Sequence, residues 1–176
     1  MFYHNGHEHI VYNHHLSKLK KLFYAELFYD VKDDMFYALD PPNYVRFEHE
    51  ENVRHQKNWS PFDFCLNCSN IRGVTTSQSN ATLLFIYSIK PHRIVQAFPT
   101  NVSGEMQADT MFLTELLPQY RWRWGEMRGG SPALLIGDCY LTFFHSSGHF
   151  NHKHIGTYVM GAYLFERFYI GNVSLH

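Results

Sequence analysis

The sequence predicts an all-β protein, organised as part of a propeller of four-stranded antiparallel blades. Three observations predict it. Short runs rich in Tyr, Phe, Ile, Val and Thr recur along the chain, bounded by Gly, Pro, Asn and Asp. These runs fall into three groups at the spacing of repeated four-stranded units. A blade takes about 40–50 residues, so 176 residues hold between three and four blades. Finally, 17% of residues are aromatic and 18% charged; that charge content is below the usual quarter or so and suits crowded strands better than a helical bundle. The chain is then a single, incomplete propeller domain over 1–176.

The elements follow in order. Phe2 to Asn13 reads as a hairpin, because Asn5-Gly6 is the strongest short turn signal and His9-Ile10-Val11-Tyr12 is a strand leaving it. Leu22 to Leu27 is a short strand, with Lys18, Lys20 and Lys21 in the turn before it. Asp40-Pro41-Pro42-Asn43 breaks the chain, and Arg46 to Gln56 is polar without a period. Pro61 to Phe64 is a strand. Asn67 to Ser79, rich in Ser, Thr, Asn and Gly, is a loop. Thr82 to Ile89 is continuous in apolar residues and reads as a buried strand, and Pro91-His92 turns the chain into Arg93 to Phe98. Within 99–124, Leu113 to Leu117 reads either as a helical turn or as a blade connection.

Composition excludes several function classes. A net charge of -1 implies no polyanionic partner, so no nucleic acid is expected. No run of about eighteen apolar residues is present, so no membrane span is expected. Met1-Phe2-Tyr3-His4-Asn5-Gly6 lacks the basic and apolar regions of a signal peptide. Asparagine sequons nevertheless stand at Asn58, Asn67, Asn80, Asn101 and Asn172. They read either as an Asn-, Ser- and Thr-rich loop set or as the mark of a secretory-pathway protein; a cytoplasmic location is the other expectation. Asn58-Trp59-Ser60 is followed by Pro61, which makes it a poor acceptor.

The most informative stretch runs from Arg128 to Glu166. Arg128-Gly129-Gly130-Ser131-Pro132 is a turn in which glycine lets the backbone approach something closely. An aromatic strand from Asp138 to Phe144 delivers His145 at its exit. Tyr158-Val159-Met160-Gly161-Ala162 opens a third strand. Earlier, Lys57-Asn58-Trp59-Ser60-Pro61-Phe62 reads as a strand start. A Gly-Gly-small-Pro turn, a Phe-His strand end, a Tyr-x-x-Gly-Ala strand and a Lys-Asn strand start, in this sequence, resemble the β-mannoside phosphorylases and β-mannosidases of glycoside hydrolase family 130.

The resemblance implies a five-bladed β-propeller that cleaves β-mannosides with inversion, phosphate attacking in phosphorylases and water in hydrolases. It implies no cofactor, with inorganic phosphate as a co-substrate. The family's catalytic aspartate lies in a Glu-Asp-x-Arg motif ahead of a strand that Met1 to Gly6 resembles. That motif would fall immediately upstream of Met1, so the catalytic residue is unknown in this chain. The resemblance thus points to a fragment of a longer enzyme, or else to a degenerate relative. A partial propeller leaves edges unpaired and apolar faces exposed, which predicts marginal stability for the chain alone.

Six residues are the candidate substrate or phosphate binders: Lys57, Asn58, Trp59, Arg128, His145 and Tyr158. Lys57 offers a compact charge for phosphate and Trp59 a face for a sugar; the alternative is a surface lysine beside a core tryptophan. Arg128 brings five donors to phosphate or hydroxyls, or belongs to an ordinary turn. His145 contributes to an anion site, or bonds a backbone carbonyl. Tyr158 bonds a phosphate or saccharide oxygen, or is a core tyrosine. No metal site is expected: His4, His7, His9, His14 and His15, and His149, His152 and His154, lack the carboxylate or cysteine of a standard zinc spacing. Cys65 and Cys68 read as structural cysteines or one disulfide, and Cys139 as a mid-strand core residue. Glu48, Glu50 and Glu51, and Asp33 with Asp34, read as solvated charge rather than an acid and base pair.

The expected function is that of a carbohydrate-active propeller whose partner is an oligosaccharide or glycoside. The competing expectation is a non-catalytic saccharide-binding or interaction propeller fragment. The oligomeric state stays open.

Overall fold

The computed structural model describes residues 1–16, 19–38, 43–47, 58–65, 70–71, 74–75, 81–115, 122–148, 157–167 and 173–175. Within them the chain is all-β, with no helix. The strands are β1 (Phe2–His4), β2 (His7–Leu16), β3 (Leu19–Asp30), β4 (Met35–Ala38), β5 (Asn43–Phe47), β6 (Ser60–Phe64), β7 (Asn70–Ile71), β8 (Val74–Thr75), β9 (Thr82–Ser88), β10 (His92–Pro99), β11 (Glu105–Thr114), β12 (Arg128–Gly129), β13 (Leu134–Ile136), β14 (Cys139–Gly148), β15 (Thr157–Glu166) and β16 (Val173–Leu175).

Nine strands form one sheet in the order β1-β2-β3-β5-β11-β10-β9-β6, with β4 paired to β3. The sheet curls until it is a nearly closed, barrel-like layer. Its neighbours are antiparallel except β5 and β11, which run parallel. A second sheet has the order β12-β14-β15-β16, with β13 also on β14. β7 and β8 pair only with each other.

The local chemistry explains most of these elements. Asn5 (φ 50°) and Gly6 (φ 89°) both take positive φ in the two-residue β1–β2 loop, as the tightest hairpin turns require. β9 is apolar from Leu83 to Ile86, as suits a strand buried on both faces. Leu84 and Ile86 enter one core with Phe62, Ile94 and the second sheet's Tyr140, Phe144, Tyr163 and Phe165. Phe85, between them, enters the other core with Leu22, Val45, Trp59, Val95 and Ala108. Ile94 and Val95, adjacent on β10, enter one core each by the alternation of the strand, and the register shifts beside them. On β14 the alternation is sharper: Tyr140, Thr142, Phe144 and Ser146 are buried while Phe143 is exposed.

Three expectations need correction. The second strand is not Leu22 to Leu27 but the twelve residues of β3, with Lys20 and Lys21 inside it rather than in a turn. Its ladder with β2 runs unbroken from Glu8↔Leu27 to Leu16↔Leu19, so pairing along the hairpin overrides the local run of lysines. Lys21 is held by Tyr44: its Nζ donates to the phenolic oxygen and lies 4.7 Å from the ring centroid. Leu113 stands in β11 opposite Arg93 rather than in a helical turn; residues 116–117 lie outside the described residues. Cys139 is the first residue of β14, half-buried and free, not a mid-strand core residue.

Asn43, expected in the breaker, and Arg46 and Phe47, expected in the polar stretch without a period, stand in β5; residues 40–42, 48–56 and most of the loop at 67–79 lie outside the described residues, as do His149, His152, His154 and Cys68. Cys65 is disulfide-bonded. Asp33 and Asp34 sit in the exposed β3–β4 turn, where they accept hydrogen bonds from Tyr37 and Tyr29. No helix among the described residues is long and apolar enough to cross a membrane.

Candidate functional site

His145 owes its position to the alternation of β14. Its neighbours Phe144 and Ser146 point into the core, where Ser146 accepts a hydrogen bond from Trp122 Nε1 and Phe144 meets Trp122 edge-on at 4.8 Å. His145 therefore faces the opposite side of the sheet. Directly across from it stands Arg128 on β12, and on the other flank Met160 of β15. Tyr158, two residues before Met160, shares that face, and its ring centroid lies 5.9 Å from that of His145. Arg128, His145 and Tyr158 are thus brought together on one face of one sheet. Arg128 is already partnered: its Nε and Nη2 both donate to Glu126 Oε2, at 3.1 and 2.8 Å. Tyr158 is 70% exposed and is not a core residue.

Asn58 and Trp59 arrive from the other sheet, just before β6. Asn58 takes a positive φ of 66°, a conformation asparagine tolerates better than most residues. Its carbonyl oxygen then occupies the space a side chain on Gly129 would need. A Cβ there would stand 2.3 Å from that oxygen and 2.6 Å from Ser60 Oγ. The glycine of the Arg-Gly-Gly turn is required by this close approach between sheets. The turn is fixed on β14 by the Gly130 and Ser131 amides, both donating to the Phe143 carbonyl, and by Thr142 Oγ1 donating to the Ser131 carbonyl.

These segments enclose a cavity of about 280 Å³ walled by Asn58, Trp59, Ser60, Gly129, Gly130 and His145, together with Tyr12 and Asn13 of β2. Three of the six candidate residues line it: Asn58, Trp59 and His145. Arg128 and Tyr158 share the sheet face of His145 but do not line the cavity, and Lys57 lies outside the described residues. Trp59 offers no open face for stacking on a sugar. It is 5% exposed, and its ring is taken up by edge contacts with Phe85 and Tyr87 at 6.0 and 5.0 Å. Tyr12, Asn13 and Ser60 were not expected here. Nothing in the hairpin's local sequence says which distant turn it will face.

Amides, hydroxyls and one imidazole suit a polyol or an oxyanion. Among the described residues that line this cavity there is no Asp or Glu.

A second, larger cavity of about 730 Å³ lies beside the first, between β1, β6 and the second sheet. Its wall is mostly apolar, with Phe62, Leu134, Leu135, Leu141 and Phe143. Asp63 lines it and is paired with His4, whose Nδ1 stands 2.5 Å from Asp63 Oδ1. The Tyr140 hydroxyl donates to the Asp63 carbonyl at 2.8 Å, and burial pushes this phenol up to about 12.

The described histidines build no metal centre. His4 faces Asp63, His7 faces Glu26 at 2.7 Å, and His9 is stacked between Phe2 and Tyr24. Among the described residues no group of three or more His, Cys, Asp or Glu is placed to hold a metal ion. No protein-family model, no curated protein and no solved structure matches this chain.

Proposed function

We propose that this chain is the saccharide-holding portion of a carbohydrate-active propeller, akin to enzymes that cleave β-mannosides by inverting phosphorolysis or hydrolysis. One observation carries the reading. The Lys-Asn strand start, the Gly-Gly-Ser-Pro turn and the Phe-His strand end are far apart in sequence, yet Asn58, Gly129, Gly130 and His145 wall one polar cavity. Arg128 and Tyr158 flank His145 on the same sheet face outside the cavity, where Tyr158 offers a hydroxyl to an outer sugar and Arg128 would have to exchange Glu126 for phosphate.

The division into blades belongs to the proposal, since the strand pairing itself gives one nine-stranded barrel-like sheet and a second, smaller sheet. Three antiparallel runs of four strands can be traced: β1-β2-β3-β5, β6-β9-β10-β11 and β12-β14-β15-β16. The first two are joined by the parallel pair of β5 and β11. The disulfide at Cys65 and the exposed sequon at Asn101 favour an oxidising, secretory compartment.

A non-catalytic saccharide-binding role is the second reading, in keeping with the described residues lining the polar cavity, which include no carboxylate. Calorimetric titration with β-manno-oligosaccharides, with and without phosphate, tests the shared claim. Binding that weakens about tenfold or more in His145→Ala is expected, the loss of one or two hydrogen bonds in a desolvated site. Equal affinity in the variant would sink it. Release of mannose or mannose 1-phosphate separates the enzyme from the binder.

A further inference from the structure

The two cavities are neighbours. Met1, Phe2, Pro61, Ser131 and Pro132 line both, so they meet along a common wall. Their chemistry differs across it. The smaller cavity presents Asn13, Asn58, Ser60 and His145 alongside the apolar Val11, Leu22 and Trp59. The larger presents Phe62, Ala133, Leu134, Leu135, Leu141 and Phe143. At about 730 Å³ the larger one falls within the range of small-molecule sites.

Three of the polar side chains lining the larger cavity, those of Asp63, Tyr140 and Ser131, are engaged. Asp63 is paired with His4, and the Tyr140 hydroxyl donates to the Asp63 carbonyl. Ser131 Oγ accepts from the Phe143 amide at 3.0 Å and donates to the Pro132 carbonyl at 3.1 Å. A second sugar placed there would lose water from its hydroxyls with few partners in exchange, which is unfavourable. A hydrocarbon group has no such cost and gains by burial.

We propose that the two cavities form one amphipathic site for a glycoside. Its sugar occupies the polar cavity, and its apolar aglycone, an alkyl or aryl group, occupies the larger one. The proposal rests on the saccharide reading of the polar cavity and adds the class of aglycone.

Calorimetric titration with methyl β-D-mannoside, hexyl β-D-mannoside and 1-hexanol tests it. Each methylene buried tightens binding about fourfold. Even with part of the chain left in water, hexyl mannoside should bind about thirtyfold tighter than methyl mannoside. Phe143→Asp and Leu134→Asp change side chains that are 46% and 63% exposed, so both variants should keep the wild-type melting transition. Both should also lose most of the hexyl advantage while binding methyl mannoside as before. Methyl mannoside binding with no gain from the hexyl chain overturns the aglycone site and leaves the saccharide reading standing. Hexanol binding as tightly as hexyl mannoside also overturns the joined site. Binding of no glycoside at all overturns both.

Discussion

His4 and Asp63 join the two ends of the nine-stranded sheet. His4 closes β1 at one end of the strand order and Asp63 lies in β6 at the other, with Nδ1 and Oδ1 2.5 Å apart. Both side chains are nearly buried, at 13% and 12% exposure. Across this seam the strands are not laddered together, so the side-chain pair is the polar link that brings the curled sheet near to closure.

Replacing Asp63 by Ala should therefore cost about 2 kcal/mol, the scale of a partly buried hydrogen bond to a charged group. Urea denaturation followed by far-UV circular dichroism measures it. An unchanged midpoint would mean that apolar packing alone closes the seam.

Acid should destabilise the fold through His9. Its ring is stacked on Phe2 and Tyr24, and its Nδ1 is buried with no partner. Burial first, then the neighbouring His4, holds this imidazole below its ordinary 6.5; Glu26 and the His4 backbone pull the other way, and His7 adds to the lowering. Above pH 6.5 neither state carries the proton and the fold is unaffected. As pH falls below 6.5 the unfolded chain takes up the proton first, so stability declines until the folded value is passed. Melting temperature measured from pH 8 to pH 5 should fall less in His9→Phe than in wild type. Parallel curves would refute the assignment.

Alkali should act through buried phenols. Burial raises Tyr24 and Tyr140 from 10 to about 12, and drives Tyr163 higher still. Their contribution is complete below pH 10 and is lost as pH rises through the folded values, because the unfolded chain ionises first. For Tyr140 the loss reaches about 2–3 kcal/mol by pH 12. Tyrosinate absorbance and loss of β-sheet ellipticity should then rise together above pH 10. Ionisation of all the tyrosines with the sheet signal intact would contradict this.

Two glycines should separate stability from binding. A Cβ on Gly161 would stand 2.4 Å from Phe144 Cζ, inside the core. Gly161→Ala should cost about 1–3 kcal/mol by overpacking, with mannoside affinity kept at temperatures where the variant is folded. Gly129→Ala meets backbone, the Asn58 carbonyl at 2.3 Å, which cannot swing aside as a side chain can. It should force the turn away from Asn58 and abolish mannoside binding even where circular dichroism reports a folded chain. Equal affinity in the two variants would argue against the polar cavity as the saccharide site.

Much of the strand layout was legible because it is local. Asn5-Gly6 specifies a tight hairpin through the positive φ both residues accept, and the unbroken apolar run of β9 specifies burial on both faces. The Gly-Gly turn announced a close backbone approach, and Gly129 makes one. What was illegible depended on partners distant in sequence. Lys20 and Lys21 looked like turn residues until β2 was laid beside them. Trp59 looked like a stacking platform until Phe85 and Tyr87 closed on it.

The sequence by itself determined that this protein is built of strands and where most of them turn, since each follows from residue size, φ preference and period-two alternation; His145, expected at a strand exit, stands inside β14. Tertiary structure alone decided that Asn58 and Gly129 meet, that His145 looks into a cavity shared with β2, and that His4 finds Asp63. Those are contacts between separate segments, and they depend on how the sheets curl and pack, which no short stretch of sequence encodes.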